Sequence, residues 1–355
     1  MTLSGKISSI IRNPTAIKDI IQARDREHIR VKIRALEQRR AELRNKKDVY
    51  DFISRLKKRS PYSIDPNQKT KLNRLCYLED WENSQIRQTI SDLQTFTSES
   101  YEHRRDWAIP EEKKMVGMRG SGLIHRKDWE WALGLVAMRR FGKLNKNNTA
   151  VGIGVGREEV LFYLANNLCR IYATDLYDGK QWGNLVPADF PENPMKYAPF
   201  PYNENALTVM RMDGTNIKFP SESFDIAFSF SSIEHFGGKN HAGALQSVRE
   251  MERVLKKGGI AVITTEYIIN DKDHPEFFNR QTIYSDLINK LSSLRLVEPL
   301  DLRITTRTLD TAIDYSDAVY WDTSNDVDFK KTHPLLLIRV GNILVTPVML
   351  VFEKV

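Results

Sequence analysis

Residues 149–159, TAVGIGVGREE, decide the reading of this chain. A short apolar run enters glycine at positions 152, 154 and 156, and the chain leaves through REEVLFYLANNL (157–168), whose apolar residues recur at helical spacing. Glycine lacks a Cβ, so backbone at these points can turn sharply and approach a ligand without collision. The triplet alone is weak, because a glycine turn used only for packing reads the same way. Outward from it the punctuation alternates. RIYATDL (170–176), ALTVMRMD (206–213), FDIAFSF (224–230) and GIAVITTEY (259–267) read as strands, with a helix from about Ala242 to Leu255 before the last of them. Short apolar strands separated by longer helical patterns require a largely parallel sheet covered by helices, which is an α/β, Rossmann-like fold. ILVTPVMLVFEK (343–354) is a further strand that closes one edge.

Asp175 lies 21 residues beyond Gly154 at the end of the next strand, where its two oxygens can accept from paired ribose hydroxyls. That geometry serves a dinucleotide or S-adenosyl-L-methionine equally. Asp213-Gly214 ends the following strand, and Asp213 can accept from an adenine amine. SSIEHFGG (231–238) follows FDIAFSF, and MERVLKKGGIAVITTEY (251–267) supplies helix, glycine turn and strand. The order of VGIGVGREE, ATD, RMDGTNIKFPSESFDIAFSFSSIEHF and RVLKKGGIAVIT resembles the class I S-adenosylmethionine-dependent methyltransferase family, especially its small-molecule branch, over nearly all of 145–355. A nicotinamide dehydrogenase is the competitor on the same fold.

The resemblance implies a seven-stranded sheet with a reversed final strand and a cofactor lying across the C-terminal strand edge. It implies that Gly154 and Gly156 face the amino-acid portion of the cofactor, Asp175 its ribose, and Asp213 with Gly214 its adenine. The chain departs from the family pattern twice. Gly152 stands where an acidic residue is often found, and Glu158 where another glycine is common. Glu158 either compensates near the cofactor ammonium or favours the first turn of its helix. In an alternative register Gly152, Gly154 and Gly156 form the whole triplet, and the pocket is the same.

No GKS or GKT accompanies the glycine turn, which argues against a P-loop ATPase, and no HExxH or compact carboxylate cluster marks a metal site. No metal is expected, since a sulfonium-bound methyl is already electrophilic. His235 is the candidate general base for a hydroxyl acceptor, histidine being the side chain type that exchanges a proton near cellular pH. A pocket-shaping or capping role for it stands beside that reading. Glu234 is a weaker candidate. Glu266 and Tyr267, at a strand end, are candidates to bind the acceptor, and so are Trp182, Tyr197 and Tyr202 in the aromatic connection 177–206. His125 and His274 are further rim candidates.

The first 60 residues hold 17 Lys or Arg and 7 Asp or Glu, a formal balance of +10 in a chain of net charge +7. From Ile17 to Lys58 there is neither Pro nor Gly, so a long helix is expected. Ile29, Ile33, Leu36, Leu43 and Tyr50 fall at coiled-coil spacing, interrupted by Arg40 and Lys47. A break at Pro61 and Pro66 precedes a second helical run from about Gln68. The expected organisation is a basic helical hairpin or coiled-coil region over 1–110, a helical approach over 111–144, and a cofactor-binding domain over 145–355. Two cysteines give no disulfide framework, and no run reaches the roughly 20 apolar residues of a membrane span, so a cytoplasmic protein is expected. The basic arm is compatible with homo-oligomerisation, the inner face of a membrane, or a partner in glycan synthesis. The leading functional expectation is methyl transfer to a hydroxyl of a small molecule or glycan intermediate. Nucleic-acid methylation is weaker, for want of an exocyclic-amine motif, and a noncatalytic cofactor-binding scaffold is the third alternative.

Overall fold

Alternate residues of the central strands belong to opposite faces of one sheet, and that alternation organises the molecule. The computed structural model describes residues 14–101, 122–179 and 186–355. Among these residues ten strands form the sheet: β1 (Arg74–Leu75), β2 (Thr149–Ile153), β3 (Arg170–Asp175), β4 (Leu207–Arg211), β5 (Phe224–Phe230), β6 (Leu255–Ile268), β7 (Leu294–Leu296), β8 (Ala312–Asp314), β9 (Leu337–Val340) and β10 (Ile343–Lys354). The longer helices are α1 (Pro14–Arg59), α2 (Ser84–Tyr101), α3 (Arg126–Arg140), α4 (Val160–Asn167), α5 (Ala242–Val254) and α6 (Tyr315–Thr323). Ala150, Phe228, Phe230 and Val262 pack toward α3 and α4, whereas Val151, Ile153, Ala227 and Ile263 pack toward α5. Each such fully buried Val, Ile or Phe contributes about 1.5–3 kcal/mol.

β4, β3, β2, β5 and β6 lie side by side in that order, all parallel. β10 runs antiparallel to β6, pairing from Val345 opposite Ile268 to Glu353 opposite Ile260. This is the reversed final strand. With β7 antiparallel on β10, the seven strands of the expected α/β fold are present. The sheet exceeds that expectation by β1, β8 and β9, because the outer edge of β10 is shared. β9 pairs with Ile343–Val345, β1 with Val348 and Met349, and β7 with Phe352–Lys354. β8 lies parallel to β9 beyond it.

The long N-terminal helix begins at Pro14, where the missing N–H costs nothing, and ends in Lys57, Lys58 and Arg59, which favour its negative pole. Val49 and Ile53 are buried against the α5-side core. Glu42 pairs with Arg339, Lys46 with Asp314 and Lys57 with Asp310. Leu43, on the expected coiled-coil seam, is exposed, and the side chains of Ile29, Ile33 and Leu36 lie outside the described residues. A second helix from Gln68 is not what forms. Residues 60–83 are mostly irregular, carrying β1 and one 3-10 turn (Leu78–Trp81), and α2 starts only at Ser84 and packs against α3. Pairing with β10 and burial of Leu72, Leu75 and Tyr77 outweigh the helical spacing of that run.

β1 is anchored by a buried ion pair. Arg74 donates to both oxygens of Asp80, at 2.7 and 2.6 Å, with its guanidinium over the rings of Tyr77 and Trp129. Removing one partner strands a charge in the core. Asp80→Ala is therefore expected to destabilise the protein by about 3–5 kcal/mol in urea unfolding; a loss under about 1 kcal/mol would contradict this account of the anchor.

Candidate active site

The C-terminal ends of the parallel strands carry the polar residues. Gly154 and Gly156 have φ of 65° and 46°, the left-handed region, and turn the chain out of β2 toward α4. A Cβ on Gly154 would meet the Phe236 ring at 2.8 Å and Ser232 at 2.9 Å, and one on Gly214 would meet Phe236 at 2.6 Å and Ile153 at 2.8 Å. Gly152 serves a different purpose from the turn expected of it. It lies within β2, where a Cβ would strike Phe228 at 2.6 Å, and its carbonyl accepts from the Thr174 hydroxyl. No side chain fits there, which accounts for the missing acidic residue.

Asp175 closes β3. Its oxygens accept from the backbone N–H of Gly156 at 2.9 Å and of Leu176 at 2.7 Å, and burial raises its pKa. Two backbone donors hold the carboxylate at the strand edge, and each oxygen keeps a second acceptor site. Leu176 beside it is exposed although apolar. Asp213 closes an Asx turn through Thr215 N–H and hydroxyl at 2.8 and 2.7 Å. A glycine turn that excludes side chains, with carboxylates at two adjacent strand ends, fits an adenosyl amino acid.

Charged residues from the start of α3 complete the edge. His125 caps that helix, its Nδ1 accepting from Lys127 N–H at 3.0 Å while Nε2 faces Asp322 at 3.4 Å. Arg126 Nη1 lies 2.9 and 3.0 Å from the two oxygens of Glu266. Lys127 bonds Glu130, Glu158 and the Phe230 carbonyl. Glu234 is buried, with one oxygen accepting from Thr265 at 3.0 Å and the other without a hydrogen bond. Burial and the neighbouring Glu266 push it up to about 8, so it holds a proton at neutral pH. His235 is partly exposed, and its Nδ1 is 3.2 Å from Glu276.

The aromatic connection after β3 packs on itself. The ring of Tyr197 meets Phe190 at 5.4 Å and its hydroxyl bonds Asp189, while Tyr202 meets Phe162 of α4 at 4.9 Å. Trp182 lies outside the described residues. Tyr267 is buried beside Phe278 in the core under α5, and His274 stacks on Phe277 while accepting from two backbone N–H groups. The structure thus gathers Gly154, Gly156, Glu158, Asp175, Gly214 and Glu266 with their partners at one edge, and packs Tyr197, Tyr202 and Tyr267 against neighbouring rings. Arg126 and Lys127 escaped the sequence reading. Their signal is a charged HRKDWE start on an otherwise apolar helix.

A family model described as a methyltransferase domain matches residues 151–263, which contain the glycine turn, Asp175, Asp213 and His235. No curated protein matches the chain. Among solved structures, one similar chain is a putative sarcosine dimethylglycine methyltransferase from Galdieria sulphuraria, at 13% identity and TM-score 0.43, covering 74% of this chain and 98% of its own. Another is geranyl diphosphate C-methyltransferase from Streptomyces coelicolor A3(2), at 15% identity and TM-score 0.44, covering 71% and 86%. The matched segment and the strand order that carries it give this chain a class I S-adenosylmethionine-dependent methyltransferase domain, with S-adenosyl-L-methionine as its cofactor.

Proposed function

We propose that the chain transfers the methyl group to a hydroxyl of a small molecule or glycan intermediate. The observation that carries this reading is the pairing of His235 with Glu276 beyond the end of β5. A carboxylate on Nδ1 favours the tautomer with its proton there, which puts the ring's lone pair on Nε2. The walls of the edge support a shaped site for a small acceptor. Glu266 is held from one side by Arg126 and from the other by the 274–279 segment, where Phe278 N–H donates to its carbonyl.

The cofactor supplies an electrophilic methyl on a sulfonium. In this reading Asp175 accepts from the ribose hydroxyls, Asp213 and Gly214 line the adenine end, and Gly154 and Gly156 let the backbone come close. His235 takes the acceptor's hydroxyl proton as its oxygen attacks, and Glu266 orients the acceptor. No helix of the described residues is long and apolar enough to cross a membrane. The basic arm supports a peripheral site of action near anionic surfaces or a glycan-synthesis partner, and Leu43 exposed on α1 supports self-association.

Labelled S-adenosylmethionine supplied to extracts separated into small metabolites, lipid-linked glycans and nucleic acids is expected to label a hydroxyl in one of the first two fractions. Label confined to nucleic acid would overturn the proposal. Asp175→Ala should weaken cofactor binding about tenfold in calorimetry by removing a charged hydrogen-bond acceptor. His235→Ala and His235→Gln should retain cofactor affinity, lower single-turnover methylation by about 10²-fold or more, and recover at high pH as the acceptor ionises itself. Parental single-turnover rates in both variants across the pH range would remove His235 from proton transfer.

A further inference from the structure

An ammonium has three hydrogens to donate, and Lys127 commits all three: to Glu130 at 3.0 Å, to Glu158 at 2.9 Å and to the Phe230 carbonyl at 3.0 Å. It therefore has no donor left for an anionic ligand. Its bonds tie the start of α3 to the residues after the glycine turn and to the end of β5. Oε2 of Glu130 is filled as well, since it also accepts from Ser231 and Thr264 at 2.9 Å each, and the Glu130 side chain is 1% exposed against 14% for Glu158. Glu158 is the member with capacity to spare. Lys127 donates to its Oε1 and the Trp131 indole also bonds it, but a carboxylate has about four acceptor sites.

Charge points the same way. One lysine faces two glutamates, so the trio carries an excess negative charge when both are ionised. The adjoining Arg126–Glu266 pair cancels itself, and Glu234, pushed up to about 8 by burial, adds no charge at neutral pH. A strand edge of this balance suits a cation two residues past Gly156.

We propose that Glu158, held in place by Lys127, is the acceptor for the α-ammonium of the cofactor's methionine portion. This rests on the cofactor lying along the glycine turn. Burial raises Glu158 to about 7, against the opposing pull of Lys127, with Glu130 adding to the rise and Tyr177 facing it from the loop after β3. The sign follows directly. Below that pH Glu158 gains a proton, the trio becomes neutral and the ammonium loses its partner. Above it the carboxylate is charged and affinity levels off.

Two neutral thioethers separate the contributions by calorimetry: S-adenosylhomocysteine, which has the ammonium, and 5′-deoxy-5′-methylthioadenosine, which keeps the adenosine but lacks the amino-acid tail. The parent should bind S-adenosylhomocysteine several-fold more weakly at pH 6 than at pH 8, and methylthioadenosine equally at both. Glu158→Gln should lose about tenfold for S-adenosylhomocysteine at pH 8 and become insensitive to pH, while methylthioadenosine stays within twofold and reports an intact fold. Lys127→Met should weaken S-adenosylhomocysteine in the same way by leaving Glu158 neutral. Parental affinity of Glu158→Gln for S-adenosylhomocysteine, or a flat profile in the parent from pH 6 to 8, overturns the role of Glu158. Failure of the parent to bind either compound instead overturns the placement of the cofactor itself.

Discussion

Strand β10 has both faces in the core, so its outer row of N–H and C=O groups cannot be left to water, and much of the architecture answers that constraint. β9, β1 and β7 each cover one stretch. Side chains and loops fill the gaps: Asn73 accepts from Val351 N–H at 2.6 Å, Cys76 N–H donates to the Pro347 carbonyl, and Val297 N–H donates to Val351. A proline inside such a strand is permitted by the same geometry. The Pro347 carbonyl points to the outer edge, so its ring nitrogen does too, and no hydrogen bond to β6 is forfeited. Segments from the first hundred residues, the middle and the end of the chain are thereby held to one strand.

The site depends on that closure indirectly. α3 lies across β5, β6 and β10, and its first turn delivers Arg126 and Lys127 to the strand ends. Burying so many ionisable groups is costly unless each charge is matched. Here the matching is local, as Arg126 takes Glu266, Lys127 takes Glu130 and is shared with Glu158, whose burial raises it to about 7, and Glu234 escapes the cost by keeping its proton. Ser231, at φ of 52°, is a strained non-glycine residue whose hydroxyl joins the network through Glu130. The strain sits just past the end of β5, where Glu130 holds the side chain.

What the sequence made legible follows from how local each cause was. The strands of β2, β3, β5 and β6 and the whole of β10 are runs of apolar or β-branched residues whose burial on two faces leaves no alternative, and the Asp175 position follows from strand length and turn spacing. β1, β7 and β8 have two or three residues each, too few to show a period, and exist because β10 and β9 offer them edges. Tyr197 and Tyr202 carry no mark separating a ligand wall from a hydrophobic plug, since either use asks for aromatic rings in a loop. Gly152 read as part of a turn because a glycine required by a neighbour's ring, here Phe228, looks the same as one required by φ. The Lys127 network was hidden for another reason: it joins residues from α3, the glycine turn and β5, which are distant in sequence.

The position of β10 in the chain has a kinetic consequence. Arg74 meets Met349 and Asn73 meets Val351, contacts that close most of the chain into a single loop. The entropy of such closure is lost before any of its contacts form, which slows folding in proportion to their distance along the sequence. The parallel strands β2 to β6 can collapse earlier around α4 and α5, yet until β10 arrives β6 presents a long, apolar, unpaired edge. During that interval the chain is most open to pairing with another strand, and the time spent there sets its exposure to aggregation.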